Sequence, residues 1–363
     1  MIDFELGDEL ELVRKTARDF ASDHLRPSLR EHELARTPSA QARAAFSEIG
    51  FATLEWPESL GGSGLGSLAR CLVSEELAAG DPGSALALDP LGLALYPLIE
   101  LGGESALRDF GVPLLDDDAA RAVLAWTGRG SRVHLEREGD TISGRIPWVP
   151  ADRADLLVLL DEEGAIVVKD GIEASPLRGS GLRAAGASEI ELNGAAVCAG
   201  WKNVQAAARA LARARLAVAS MLVGVMSESA EYSRAYALDR VAFGRPIAHH
   251  QALAFLIADM ATAVDGARLL GWEAAWSLDS GLDAQESCAT AFLEAVEEAL
   301  FVTPNGVQIL GGHGFMQDHP VEKHMREART LGLMLGGVDP AREEAGREIA
   351  GSGDRVALTR EAS

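Results

Sequence analysis

Arg240-Val-Ala-Phe243-Gly244-Arg-Pro246-Ile247, followed by Gln251 and Ala258-Asp259-Met260, is the first of two stretches on which the fold assignment turns. The second is Gln308-Ile-Leu-Gly311-Gly312-His-Gly314-Phe315, followed by Pro320-Val321-Glu322-Lys323 and Arg326-Glu327-Ala328-Arg329. Both are set among apolar stripes of helical period. Leu211, Val218, Leu222 and Val225 form one stripe; Leu253, Leu256, Met260, Val264, Ala267 and Leu270 form a second; Phe292, Val296 and Leu300 belong to a third. Helices of this length joined by short loops pack antiparallel, which predicts a four-helix bundle over residues 203–350. The glycines of both stretches lack a Cβ and so let a backbone approach another group closely.

Upstream of the bundle the periodicity changes. Over residues 120–202, Val133–Leu135 alternates with polar neighbours, while Leu156–Leu160, Ala165–Val168 and Ile190–Leu192 are short apolar runs. Turns such as Glu138-Gly139-Asp140 and Asp161-Glu162-Glu163-Gly164 separate them, so a small, barrel-like β-domain is predicted. Residues 1–119 read again as helices, carried by Glu9, Leu12, Val13, Ala17 and Phe20 and then by Leu72–Leu77 and Leu91–Leu101. A glycine-rich loop, Pro57 to Gly66 (PESLGGSGLG), interrupts them, and residues 351–363 read as a frayed tail. The fold class is therefore α+β, in the order helical domain, β-domain, helical bundle.

Composition removes several function classes. A length of 363 residues exceeds one core, consistent with several domains. A net charge of −22 argues against nucleic-acid binding, which needs a basic footprint. No apolar run reaches the roughly 18 residues of a membrane span. The acidic N-terminus, MIDFELGDELELVRK, lacks the order of a signal peptide, and a cytoplasmic protein is expected. Cys71, Cys198 and Cys288 form no CxxC pair, and the histidines have no metal-ligand spacing. No metal is expected.

The two C-terminal stretches, taken in this order, resemble the signature of the acyl-CoA dehydrogenase family. PESLGGSGLG resembles that family's PEEYGGLGLG-type loop, and the domain order is similar across nearly the whole chain. The resemblance implies FAD as cofactor, an acyl-CoA substrate, and electron-transfer flavoprotein as acceptor. A pyrophosphate wants a fixed cation and backbone donors, and in the family the R-x-x-F-G and Q-x-x-G-G-x-G motifs serve that end of FAD. By resemblance Arg240, Phe243, Gln308, Gly311 and Gly312 take these roles. Gln251 is read as either a helix contact or a flavin-edge contact, and Asp259 as a helix-pairing acid. In the family these residues reach across a dimer interface to a flavin held mainly by the neighbouring subunit.

The chain also departs from the family. α,β-Dehydrogenation needs a positioned carboxylate to take the α-proton. In most relatives it is the Glu of I-Y-E-G-T; counting nine residues on from Arg326 reaches Leu335 in Leu333-Met334-Leu335-Gly336-Gly337. In a minority it lies 26 residues before the Arg of R-x-x-F-G; here that position is Ala214. Glu228 and Glu231 are about four turns or more further along the helix. The family's T-E-P-G-A-G-S-D loop is replaced by Thr127-Gly128-Arg129-Gly130-Ser131, and its W-I-T by Trp148-Val149-Pro150, in which Pro150 has neither hydroxyl nor N–H. Trp148 is read equally as a flavin-facing aromatic or a core residue.

This pattern resembles the base-less subunit of the actinobacterial α2β2 acyl-CoA dehydrogenases of steroid side-chain breakdown, which likewise read L-L-G-G in place of E-G-T. The resemblance implies a non-catalytic subunit that completes the FAD site of a paralogous partner. The competing expectations are an active homo-oligomer with a base recruited from Glu228 or Asp339, a flavin-dependent monooxygenase-like protein, and a pseudoenzyme.

Overall fold

The computed structural model describes residues 4–351; the predicted tail lies almost wholly outside the described residues. The N-terminal region contains α1 (Asp8–Phe20), α2 (Leu29–Ala35), α3 (Ala40–Ile49), α4 (Ser67–Gly80) and α5 (Pro82–Leu88). The apolar stretch Leu91–Leu101, predicted as helical, is helical from Gly92 onward, passing through a 3-10 turn, α6 (Leu95–Pro97) and a wider π turn that ends at Gly102; α7 (Gly103–Ala106) follows. Pro97, within that stretch, is the last residue of α6 and offers no N–H to an i−4 carbonyl.

Seven strands make the middle domain: β1 (Ala122–Trp126), β2 (His134–Glu138), β3 (Thr141–Val149), β4 (Leu156–Leu160), β5 (Gly164–Val168), β6 (Ile172–Pro176) and β7 (Ser188–Lys202). The order is β1-β4-β5-β7-β3-β2, with β6 also on β7; only β1 and β4 run parallel. β7 is long enough to pair with β5 through its second half and with β3 and β6 through its first. It therefore bends one sheet over on itself, giving a curled sheet with edges at β1 and β2 rather than a closed barrel. β4 shows why five successive apolar residues form a strand. Leu156, Val158 and Leu160 enter the core shared with the helices, while Leu157 and Leu159 enter the core inside the curl. Both faces are covered, so no polar alternation is needed.

The C-terminal region consists of α8 (Val204–Asp239), a hairpin of β8 (Val241–Ala242) and β9 (Arg245–Pro246), α9 (Gln251–Asp279), α10 (Gln285–Leu310), α11 (Val321–Leu331) and α12 (Val338–Gly351). α8, α9, α10 and α11 form the predicted bundle, with α4 laid against α8 and α12 against α10. α8 contains a window long and apolar enough to cross a membrane, which the sequence reading did not find, but 89% of that window is buried inside the protein. It is the core helix of the bundle.

Two polar devices bind the outer domains together. The Asp279 carboxylate, at the end of α9, accepts the Ser67 and Leu68 N–H groups at 2.7 and 3.0 Å, satisfying the free donors that open α4. More deeply, Lys323 of α11 donates to Asp81 at 2.6 Å and to Glu327, with all three side chains at most 2% exposed. Asp81 precedes α5 and also accepts the Ser84 hydroxyl at 2.5 Å. That hydroxyl is therefore free to accept the Nδ1 hydrogen of His32, 3.1 Å away on α2.

Two carboxylates thus share one buried ammonium. Burial pushes the Glu327 carboxyl up to about 7, against the pull of Lys323. Burial opposes the Lys323 charge as well, but Asp81 and Glu327 outweigh it and hold its pKa above the ordinary value. Lys323→Met should cost about 3–5 kcal/mol, because two buried carboxylates lose their counter-ion; urea unfolding of the purified variant measures this. A carboxyl raised from 4.5 to about 7 holds a proton that the unfolded chain releases, so its contribution to stability is complete below about pH 4.5 and is lost as pH rises through 7. Glu327→Gln should remove that part of the slope, read as the difference between variant and wild-type melting across pH 4.5 to 7.

Candidate functional site

The curled sheet and the bundle meet at a cleft of about 520 Å³. Leu124–Trp126 of β1, Gly130–Val133, Ile146–Pro150 and Leu333–Gly337 line it. Its C-terminal wall is a tight turn in which Leu335, Gly336 and Gly337 have φ of +54°, +87° and +74°. The Gly337 N–H closes this turn on Met334 O at 2.9 Å. Leucine has no intrinsic preference for this left-handed region, and its side chain is held by burial at 6% exposure. On the opposite wall Trp126 donates Nε1 to Arg129 O at 2.9 Å and Ser131 donates to Trp126 O at 2.8 Å, fixing the shortened loop. Trp148, half-buried, lines the cleft beside Pro150 and also packs against the core. A larger and more polar hollow, about 720 Å³, opens at the mouth of the curled sheet, and no predicted site residue lines it.

Among the described residues, no carboxylate and no histidine lines the cleft. Ala214 is fully buried on α8. Glu228 is bound to Arg26 at 2.8 Å, and burial raises its pKa above the ordinary range despite that partner. Glu231 pairs with Arg234 at 2.6 Å. The Asp339 side chain is 91% exposed on the first turn of α12, near Arg342 at 3.9 Å. The two carboxylates considered as relocated bases therefore lie outside the cleft.

The predicted phosphate-binding residues gather elsewhere, at the far end of α8. Arg240 caps that helix in extended conformation, and its guanidinium has no hydrogen bond or ion pair among the described residues. The hairpin that follows turns on Phe243 and Gly244, with φ of +54° and +83°. Two successive positive φ angles are what a two-residue hairpin loop requires, and they hold Phe243 out at 96% exposure. His250 braces the hairpin: Nε2 donates to Ala242 O at 3.2 Å, which leaves Nδ1 to accept from Arg245 at 3.2 Å. Gln251 opens α9 immediately afterwards and is exposed.

Gln308 is exposed on the last turn of α10, and Gly311 and Gly312 begin the turn that ends it, with no atom within 4 Å of where a Cβ would stand. Two tyrosines of α8 tie this turn to Arg240. The Tyr236 hydroxyl lies 3.0 Å from His313 Nδ1 and the Tyr232 hydroxyl 2.8 Å from His319 Nδ1. Burial raises the Tyr232 pKa, with Tyr236 adding to it. The sequence reading did not single out these Tyr–His pairs or the His250 brace; tyrosines one and two helical turns before Arg240, with histidines in and after the glycine turn, were the available signal. Asp259 is exposed on α9.

Residues 7–116 match the sequence profile of the acyl-CoA dehydrogenase N-terminal domain, and residues 199–349 that of its C-terminal domain. The chain belongs to the acyl-CoA dehydrogenase family. It is 29% identical over 368 residues to the mitochondrial short-chain specific acyl-CoA dehydrogenase of Bos taurus, covering 92% of this chain and 88% of that one. It is 27% identical to the probable acyl-CoA dehydrogenase YngJ of Bacillus subtilis, covering 91% and 95%. Its fold is that of butyryl-CoA dehydrogenase from Megasphaera elsdenii, with TM-score 0.85, 23% identity, and 96% and 100% coverage. A glutaryl-CoA dehydrogenase from Mycobacterium smegmatis in complex with FADH2 superposes with TM-score 0.84 at 20% identity, covering 98% and 97%.

Acyl-CoA dehydrogenases bind FAD, which when bound accepts the hydride removed from the acyl chain. The fit of this acyl-CoA dehydrogenase to that group differs between its two ends. At the end of α8 an uncommitted guanidinium and an open glycine turn stand side by side, a donor set suited to a diphosphate. At the cleft, Trp148 offers a ring face, but Pro150 offers no hydrogen-bond donor and no carboxylate is present to take a proton.

Proposed function

We propose that this chain is the non-catalytic subunit of an α2β2 acyl-CoA dehydrogenase, working in the cytoplasm with a paralogous subunit that carries the base and the flavin-ring site. Its role is to complete the partner's FAD site, with Arg240, Phe243, Gln308, Gly311 and Gly312 directed at the diphosphate and adenine half and Gln251 beside them. The observation that carries this reading is a separation. From Ala214, the α8 position at which a minority of relatives carry the base, to Arg240 is 26 residues, about 39 Å along the helix axis. That distance exceeds an extended dinucleotide. A flavin gripped at Arg240 therefore has its ring in another polypeptide, and a flavin ring in this chain's own cleft gains nothing from Arg240.

The loss of chemistry is confined to the cleft. Leu335 and Ala214 stand where relatives place a base, and neither can accept a proton. The surface around Arg240 keeps what an interface needs: Val241, Phe243, Phe255, Phe315 and Met316 are all more than half exposed. The substrate is taken to be a bulky acyl-CoA of the steroid side-chain class, on the strength of the Leu335-Gly336-Gly337 turn, with electron-transfer flavoprotein receiving the electrons.

Co-expression with the adjacent paralogue should give one FAD per heterodimer and acyl-CoA oxidation, while the chain purified alone should do neither. Stoichiometric FAD and turnover by the lone chain would falsify the reading. Within the assembly, Arg240→Ala should weaken FAD retention about ten- to a hundredfold, the equivalent of one charge-assisted hydrogen bond, while the mirror change in the partner's cleft base should abolish turnover and spare FAD. Retention is read from flavin absorbance after dialysis.

A further inference from the structure

We infer that this chain's own acyl site is closed from within, and that Arg213 is the residue that closes it. The inference rests on the partner-subunit reading, since it explains why the chain serves a neighbour's site and not its own.

The position of the site follows from the two places at which a base can stand. Leu335 and Ala214 come from parts of the chain 121 residues apart (335 minus 214). A base at either must reach the same α-carbon, so that carbon belongs to the space enclosed by α8 and the Met334–Gly336 turn that packs on it. In this chain Ala214 and Leu335 are 0% and 6% exposed and lie in one continuous core. One turn along α8 from Ala214, Ala217 borders two voids of about 10 and 40 Å³, both also lined by Arg70 and Tyr96. Such spaces hold a few waters at most; an acyl chain does not fit.

Charged side chains surround these voids. Arg213 donates to Glu55 at 2.7 Å and to Glu100 at 2.6 Å, and its guanidinium lies 5.1 Å from the centre of the Tyr96 ring. Glu55 in turn accepts from Arg70 at 2.9 Å and from the Tyr96 hydroxyl at 3.4 Å. Arg70 reaches on to Asp89 at 3.1 Å and to Phe51 O at 3.1 Å. The Glu55 side chain is 1% exposed and that of Arg213 13%. Burial works against the Arg213 charge, but Glu55, Tyr96 and Glu100 overcome it, leaving the guanidinium firmly ionised. An apolar acyl tail entering here has to displace paired ions that have already lost their water, which is unfavourable in a way that packing against leucines is not.

Removal of Arg213 strands no charge. Without it Glu55 keeps Arg70 and Tyr96, and Glu100 keeps Arg209 at 3.2 Å. Truncation therefore creates volume without leaving an unpaired buried ion, and the closure becomes testable by binding alone. Restoring a carboxylate at Leu335 leaves it in place.

The test titrates free CoA and CoA thioesters from acetyl to octanoyl into the full chain, with wild type, Arg213→Ala and Arg213→Ser compared by calorimetry and folding checked by circular dichroism. Wild type should show the same affinity, or the same lack of it, along the whole series. A folded truncation should bind roughly fourfold tighter for each added methylene until the opened space is filled. Length-dependent binding by the wild-type chain overturns the inference, as does a flat series for whichever truncation folds. A length-dependent wild type that neither holds FAD nor turns over sinks this inference and spares the partner reading. A lone chain that holds FAD and oxidises acyl-CoA sinks the partner reading itself.

Discussion

α8 is the constraint on which the rest depends. It is a single helix of 36 residues, about 54 Å long, buried along most of its length by α4, α9, α10 and α11. A helix packed on so many sides neither bends nor slides, so what is attached at one end keeps a fixed distance from what is attached at the other. The curled sheet and the Leu335 turn belong to its beginning, and Arg240, the hairpin and the glycine turn to its end. Groups at the beginning of α8 and groups at its end are therefore held too far apart for one compact site to use both.

The two ends have diverged in opposite senses. At the end of α8, exposed side chains are kept in ordered positions. His250 braces a hairpin whose tip is an exposed phenylalanine, and two tyrosines hold the histidines that flank the glycine turn. At the beginning, packing and internal ion pairs prevail. Leucine occupies a left-handed position in the cleft wall, and Arg213 joins three elements where an apolar channel would have to run. One end remains a surface and the other has become core.

Much of this was legible in the sequence. Helical stripes of period three and four survive as α8, α9 and α10, because amphipathic packing imposes that spacing whatever the loops do. Leu156–Leu160 was found as a strand from its apolar run alone, although only the structure shows that its side chains alternate between two cores. Motif residues such as Arg240 and Gly311 were visible because a close backbone approach leaves few residue types acceptable. The Leu91–Leu101 segment was read as helical and is so from Gly92, but apolar spacing does not report that its winding changes around Pro97. A barrel-like domain was expected from the short strands, but that it is an open curl depends on β7 pairing two ways at once, which no single segment reveals. Least visible were the ion networks of Lys323 and Arg213, whose partners lie 242 and 158 residues away. Nothing in a linear pattern marks a charge that will be buried with a distant counter-charge.

The exposed tip of the β8–β9 hairpin carries a consequence for the cell. Phe243, Phe255, Phe315 and Met316 sit bare at one end of a rigid body, and apolar surface of that kind invites non-specific association until something covers it. A subunit made in excess would bring its own glue. Covering that surface is then a matter of solubility, and chain left uncovered becomes a substrate for chaperones and proteases rather than a reserve.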